Sequence, residues 1–159
     1  MIILFLMSVT LCLTLVDIAA KSLIEGSMRR GEERTIGKGK LVLRKVYNRR
    51  MCLNLFEKNP EFVKGASAAV TILLTIYQCV TLMRKKRALK KVGLSLMTAG
   101  AWSNTFDRWV RGYVIDFIGF KTKWKKITQI TYNLGDFFIG AGAVLLVLSS
   151  IFRSGKRKS

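Results

Sequence analysis

Long apolar stretches, separated by blocks of charge, constrain the fold of this chain more than any other feature of its sequence. Four spans can be marked, at residues 1–20, 65–83, 92–106 and 134–152. A soluble domain of 159 residues would interleave charged and apolar residues at a helical or strand period, whereas here the two are segregated. We therefore predict an all-α membrane protein with four transmembrane helices, formed by one membrane-embedded domain over residues 1–159.

The first and third spans are less regular than the other two. The first contains Asp17, but it lacks a basic start and is longer than the apolar part of a signal peptide, so we expect it to be retained as a helix. The third covers only about 22 Å of a hydrocarbon core about 30 Å thick. It can cross only if Asn104, Asp107 and Arg108 lie within or at the polar boundary. The fourth begins with glycines that allow close helix contact, namely Gly135, Gly140 and Gly142.

The charge of the chain is +19, from 28 Lys and Arg against 9 Asp and Glu. Because no zinc-ligand spacing, helix-turn-helix pattern or stacking platform accompanies it, we expect membrane lipids rather than nucleic acid as partners. Segment 84–91 has six basic residues and no acid, and the tail 153–159 is also basic. With four spans, segment 84–91 and the tail lie on the same side of the membrane. By the positive-inside rule that side is cytoplasmic, and both termini lie there.

The loop at residues 21–64 lies on the outer side in this topology. It has twelve Lys and Arg against five Glu, so counting alone would favour the reverse orientation, but long loops translocate largely regardless of charge. Residues 40–56 are rich in aliphatic and β-forming residues, which predicts one or two short strands at the membrane surface. A second apolar passage, at residues 113–120, can dip back to that surface.

Cysteine and histidine usage limits the possible chemistry. The chain has no histidine, and its cysteines are Cys12, Cys52 and Cys79, two inside apolar spans and one in a loop. An odd, scattered set does not indicate a disulfide framework. A zinc site is not expected, and histidine-based triads are excluded.

Two aspartates, Asp116 and Asp136, lie at membrane edges inside dense polar clusters. Ionisable groups at bilayer depth are costly and mark functional sites. Asn133 shares a helix face with Asp136, and Asn104 shares one with Arg108, by their spacings of three and four residues. Because the fourth span begins on the side where the third ends, these side chains can converge on the outer face.

Two carboxylates about 3 Å apart cannot both ionise, so they share one proton. The ionised partner can take a proton from a bridging water while the protonated one polarises a scissile carbonyl. Nearby asparagines and Arg108 could orient the substrate and hold the carboxylates in place. This pattern favours aspartyl chemistry in a membrane enzyme.

Structural interpretations of the same residues remain open. Asp136 could simply be the N-cap of the fourth helix. Asp107 could form a surface ion pair with Arg108. Asp17 and Lys21 are four residues apart, and an ion pair that anchors the first helix at the interface would by itself explain them. A functional interpretation places this last pair at the rim of the outer site.

Together these residues resemble the lipoprotein signal peptidases (signal peptidase II) of bacteria, over nearly the whole chain. Three blocks in order are similar to family blocks: Asn-x-x-Asp-Arg at 104–108, Val-Ile-Asp-Phe at 114–117 and Tyr-Asn-Leu-Gly-Asp at 132–136. The resemblance implies Asp116 and Asp136 as the catalytic pair. It implies supporting or substrate-binding roles for Asp17, Lys21, Asn48, Asn104, Arg108 and Asn133.

The resemblance further implies cleavage of a diacylglyceryl-modified prolipoprotein on the amino side of its lipidated cysteine, without metal or cofactor. The loop between the first two helices would be a small β-rich cradle, and we expect a monomer in the cell membrane with its site at the outer membrane–water interface. Arg50 stands where the family usually has glycine, so differences should fall on substrate fit and loop geometry. The alternatives are a non-catalytic relative that binds lipoprotein precursors or anionic lipid, and a small structural or pore-forming membrane protein.

Overall fold

The computed structural model of the chain describes residues 1–36, 39–49 and 59–155. Four long helices and a small sheet account for most of these residues. The helices are α1 (Ile2–Ser27), α2 (Pro60–Met83), α3 (Ala88–Val110), α4 (Lys125–Thr128) and α5 (Leu134–Gly155). The strands are β1 (Glu33–Ile36), β2 (Leu41–Asn48), β3 (Val114–Phe120) and β4 (Thr131–Tyr132). The predicted helical architecture with a small β element is confirmed.

Helices α1, α2 and α5 are long and apolar enough to cross a membrane. Large apolar side chains such as Leu4, Leu73 and Val144 are exposed on their outward faces, where lipid would cover them. All four predicted spans are helical, but their ends differ from the prediction. Helix α1 continues to Ser27 rather than ending near residue 20, and α3 extends beyond both ends of the predicted span 92–106.

Helix α3 lies at the centre of the bundle, where it contacts α1, α2 and α5. Glycines bring its backbone against α5: a Cβ on Gly100 would lie 2.1 Å from the carbonyl oxygen of Gly135. A Cβ on Gly142 would lie 2.5 Å from the carbonyl oxygen of Gly93. The predicted close contact is therefore confirmed at Gly135 and Gly142. It is wrong for Gly140, which faces open space.

The sheet is antiparallel, in the order β1-β2-β3-β4. Strand β2 confirms the strand expected within residues 40–56. Residues 50–56 of that prediction, which include Arg50 and Cys52, lie outside the described residues. The passage 113–120 is largely strand β3, which pairs with β2. We predicted that the first loop alone forms the cradle. That prediction is wrong, because two of the four strands follow α3 in the sequence.

The sheet is attached to the end of α1. The ammonium of Lys45 on β2 donates to the carbonyl oxygens of Glu25 and Met28, at 2.7 and 2.8 Å, which satisfies carbonyls left free at the helix end. Ile115 and Phe117 of β3 belong to an apolar cluster with Met28. Because side chains alternate across a strand, the residue between them, Asp116, points to the opposite side of the sheet.

Candidate active site

The Asp116 carboxylate is almost fully buried, with 4% of its surface exposed. The side-chain amide of Asn133 donates to its Oδ1 at 2.7 Å, and that of Asn48 donates to its Oδ2 at 2.9 Å. Burial, and then the negative charge of Asp136, raise the pKa of Asp116 to about 7. This carboxyl group can therefore carry a proton near neutral pH.

Asp136 lies in the first turn of α5, in a reciprocal cap with Asn133. The backbone N–H of Asp136 donates to Asn133 Oδ1 at 3.0 Å, and the backbone N–H of Asn133 donates to Asp136 Oδ2 at 3.1 Å. This is a capping box in which Asn133, not Asp136, is the N-cap. The other oxygen of Asp136 accepts the Asn104 amide at 3.0 Å. Since Asn133 also binds Asp116, one asparagine connects the two carboxylates.

Behind the aspartates, the ammonium of Lys21 lies in a fully buried cluster. It is 2.8 Å from Asp17 Oδ2 and 3.2 Å from Asp107 Oδ2. It also donates to Ser103 Oγ at 3.0 Å and to Asn104 Oδ1 at 2.8 Å. Because Lys21 takes the carbonyl oxygen of the Asn104 amide, the NH₂ group of that amide is directed towards the catalytic candidates. The predicted Asp17–Lys21 ion pair is confirmed, and both of its side chains are fully buried.

The cluster also joins α1, α3 and the sheet. Asp17 accepts a hydrogen bond from Ser103 Oγ at 2.6 Å and from the backbone N–H of Leu134, at the start of α5, at 3.0 Å. Asp107 is fully buried, accepts the backbone N–H of Ile115 at 3.3 Å and pairs with Arg111. The interpretation of Asp107 as a surface ion pair with its sequence neighbour is therefore wrong.

The structure brings all the predicted site residues to one end of the bundle. Arg108, one turn after Asn104 on α3, donates from Nη1 to the backbone carbonyl of Asn104 at 3.2 Å. Sequence reasoning missed Ser103 and Arg111 as members of the cluster. The signal was available, because Ser103, Asp107 and Arg111 recur every four residues and so share one face of α3.

The described residues contain no cluster of metal ligands and no disulfide. Within the described ranges, no group of three His, Cys, Asp or Glu side chains lies close enough to hold a metal ion. Cys12 and Cys79 are free thiols.

Two solved structures of bacterial membrane enzymes share this fold. A bacterial membrane enzyme obtained by the in meso method at 2.3 Å resolution superposes with a TM-score of 0.81, at 18% identity, and the match covers 98% of this chain and 92% of that one. A second, obtained by the same method at 1.9 Å resolution, gives a TM-score of 0.76 at 19% identity, with 91% of each chain covered. At these identities the likeness establishes the fold.

The family follows from sequence comparison. The sequence model of the signal peptidase (SPase) II family matches residues 9–152. The lipoprotein signal peptidase of Fusobacterium nucleatum subsp. nucleatum is 28% identical over 148 residues, which cover 93% of this chain and 87% of that protein. The lipoprotein signal peptidase of Ectopseudomonas mendocina is 30% identical over 144 residues, covering 88% and 83%. This chain belongs to the signal peptidase II family and is a peptidase of that family.

Proposed function

We propose that this protein is a membrane aspartyl endopeptidase that removes the signal peptide from diacylglyceryl-modified prolipoproteins, cutting on the amino side of the lipidated cysteine. One observation carries the proposal: Asp116 and Asp136 are connected through Asn133, and each accepts a further amide, from Asn48 and Asn104 respectively. The relatives named as lipoprotein signal peptidases support the substrate class.

In the proposed reaction, the two carboxylates share one proton and act on a water between them. The ionised carboxylate accepts a proton from the water as its oxygen attacks the scissile carbonyl carbon. The protonated carboxyl group donates its proton to the carbonyl oxygen, which gives a neutral tetrahedral intermediate. Collapse of the intermediate breaks the C–N bond and transfers a proton to the leaving amine. The pKa of Asp116, raised to about 7, allows this group to hold the shared proton near neutral pH.

The buried cluster around Lys21 would position the catalytic pair without adding net charge to it. Two carboxylates, Asp17 and Asp107, face two cations, Lys21 and Arg111, so the cluster is formally neutral. Lys21 orients the amide of Asn104, which in turn binds a catalytic carboxylate. Residues locked by such supporting contacts hold a reactive geometry more closely than mobile ones.

We further propose that α3 also crosses the membrane, as a fourth span. Its 23 residues rise about 34 Å, more than the roughly 30 Å of a hydrocarbon core. Its low hydropathy comes from polar residues such as Ser95, Thr98 and Ser103, which are buried against neighbouring helices. Polar groups within a membrane are tolerated where they face the interior of a bundle.

With four spans, the basic turn at residues 84–87 lies at the opposite end of the bundle from the aspartates. By the positive-inside rule the turn and both termini are cytoplasmic, and the peptidase site lies at the outer surface. The test is labelling of whole cells with a membrane-impermeant maleimide, in a variant whose native cysteines are replaced by serine. Lys64→Cys should react in intact cells, and Lys85→Cys only after the membrane is permeabilised. The reverse pattern would overturn the orientation.

The catalytic proposal is tested with purified protein in detergent and a diacylated prolipoprotein, with cleavage followed by gel shift. Asp116→Asn and Asp136→Asn should each lower turnover by about 10²–10⁴-fold, the usual contribution of a positioned acid or base. Glu61→Gln removes an exposed acid at the same end of the bundle and should leave turnover unchanged. Full turnover by both aspartate variants would refute the aspartyl mechanism.

Two further measurements test the substrate class separately from the catalytic mechanism. A precursor whose lipidated cysteine is replaced by serine carries no diacylglyceryl group and should not be cut. If it were cut as fast as the lipidated precursor, the substrate class would be wrong while the aspartyl mechanism stood. If the wild-type protein bound the lipidated precursor without cutting it, the non-catalytic alternative would be favoured.

A further inference from the structure

The segment between β3 and β4 carries four lysines around one tryptophan. Residues 121–126 read Lys-Thr-Lys-Trp-Lys-Lys, and no Asp or Glu occurs from residue 117 to residue 135. Lys121, Lys123 and Trp124 are exposed, and 72% of the Trp124 surface is accessible. Among the described residues, no ion pair includes Lys121 or Lys123. Residues 121–130, which we call the cationic loop, therefore present an apolar ring beside two cations that lack a carboxylate partner in the described part of the chain.

The backbone of the cationic loop forms a hydrogen-bonded turn. The backbone N–H of Thr122 donates to Thr128 Oγ1 at 3.0 Å, and the carbonyl oxygen of Trp124 accepts the backbone N–H of Thr128 at 3.1 Å. Arg44 on β2 donates to the carbonyl oxygen of Thr128, which ties the turn to the sheet. The indole ring of Trp124 is thus exposed on a backbone that is held in place. Removing its apolar surface from water is favourable, so the turn presents Trp124 as a contact for another surface.

An aromatic cluster places the start of the cationic loop at the level where α5 enters the membrane. Phe120, the last residue of β3, packs edge-on against Phe137 in the first turn of α5, with ring centroids 6.2 Å apart. The ring of Tyr132 lies beside both, at 6.4 and 5.7 Å. Phe137 is itself 41% exposed, on a helix apolar enough to span a membrane. Aromatic side chains gather at the membrane–water interface, so the loop leaves the sheet at the depth of the lipid headgroups.

We propose that the cationic loop binds anionic phospholipid headgroups of the leaflet on the side of the aspartates, with the Trp124 ring inserted among them. Tryptophan is enriched at the membrane–water interface, and lysines near an anionic surface are attracted to it. A protein partner fits less well, because the cores of protein interfaces are depleted of lysine. The proposal is independent of the aspartyl mechanism, since it requires only that the bundle spans a membrane.

Trp124 itself reports on the contact. The full-length protein is placed in phosphatidylcholine vesicles with a minor fraction of phosphatidylglycerol, and the Trp124 signal is the difference in fluorescence between wild type and Trp124→Phe. Phosphatidylglycerol brominated on acyl carbons near the headgroup should quench this signal, whereas the neutral aqueous quencher acrylamide should quench it little. The comparison is the same fraction of identically brominated phosphatidylcholine. The anionic lipid should associate at least about tenfold more strongly, because each lysine near an anionic surface contributes about fivefold.

Removing cations from the loop should reduce this preference. The double variant Lys121→Gln/Lys123→Gln should lower it by about fivefold or more. The matched control is Arg29→Gln/Arg30→Gln, which removes two exposed cations at the same end of the bundle. Any loss that depends only on the net charge of this end would be equal in the two double variants.

The control pair lies well above the headgroups. Asp17 accepts the backbone N–H of Leu134 and so marks the level at which α5 starts. Helix α1 rises about 16 Å from Asp17 to Met28, just before the control pair. Because the Debye length at physiological ionic strength is about 8 Å, the two arginines are largely screened from the lipid surface. The control should therefore change the lipid preference by less than about twofold.

Three results would each overturn the proposal. Equal association of the two brominated lipids with Trp124 would show that anionic headgroups are not selected. Strong quenching by acrylamide without quenching by lipid would place the cationic loop in water, where a protein partner could reach it. An equal loss of preference in the two double variants would indicate diffuse attraction of the whole charged surface rather than binding at the loop.

Discussion

Replacing Lys21 by methionine removes a cation from the buried cluster while keeping most of the side-chain length. The lysine ammonium lies 2.8 Å from Asp17 and 3.2 Å from Asp107, and all three side chains are fully buried. In the variant Asp107 retains Arg111, but Asp17 keeps only neutral donors, the Ser103 hydroxyl and a backbone N–H. One carboxylate is thus left buried without a counter-charge.

The cost follows from that uncompensated charge. Removing one partner of a buried ion pair typically destabilises a protein by about 3–5 kcal/mol. We expect Lys21→Met to lie in that range. Turnover should also fall by about 10²-fold, because the Asn104 amide loses the contact that orients it and small misplacements at a reacting centre are costly.

The assay measures the free energy of unfolding in mixed micelles by titration with a denaturing detergent, alongside cleavage of the lipidated precursor. A second substitution, Asp17→Asn, removes the stranded charge and should restore much of the stability of Lys21→Met without restoring turnover. The control is Lys64→Met, which breaks an exposed pair with Glu61 and should cost no more than about 1 kcal/mol. If Lys21→Met unfolded within about 1 kcal/mol of wild type and cleaved normally, the positioning role would be refuted.

Three other predictions concern the catalytic pair and the helix contact that supports it. Because the pKa of Asp116 is raised to about 7, its proton is retained below that pH and lost above it. Cleavage should therefore slow as the pH rises through about 7, and slow again in acid, when both carboxyl groups are protonated. A flat kcat/KM profile from about pH 4 to 9 would contradict the shared proton. Gly100→Ala places a Cβ 2.1 Å from a carbonyl oxygen of α5 and should destabilise the bundle by about 1–3 kcal/mol or more. Gly140→Ala is the control, because its Cβ meets open space and should not destabilise the bundle. Denaturing-detergent titration compares the two variants, and equal effects would argue against the close contact. Asn133→Ala removes both the link between the two aspartates and the N-cap of α5. It should lower turnover by more than the loss of about 1 kcal/mol of helix stability explains. Unchanged turnover in the gel-shift assay would show that the link between the aspartates is dispensable.

The segregation of apolar and charged residues predicted a helical membrane protein, and three short polar blocks were enough to propose candidate residues for its site. These features are local. The length and hydrophobicity of an apolar run indicate that this run enters the membrane, and a spacing of three or four residues places two side chains on the same helix face. Asn104 and Arg108, or Asn133 and Asp136, could be grouped from sequence for that reason.

The tertiary structure decided how the groups meet. Asn48 binds Asp116 across 68 residues of sequence, and Lys21 binds Asn104 across 83. The polar residues of α3 are buried only because neighbouring helices cover them, and strand β3 forms only because it pairs with β2, a strand in a distant loop. Burial is likewise a property of the assembled bundle, so Asp107, read as a surface residue, is fully enclosed. Contacts between positions far apart in the sequence produce no residue spacing that either segment shows by itself. They can be seen only in the folded chain.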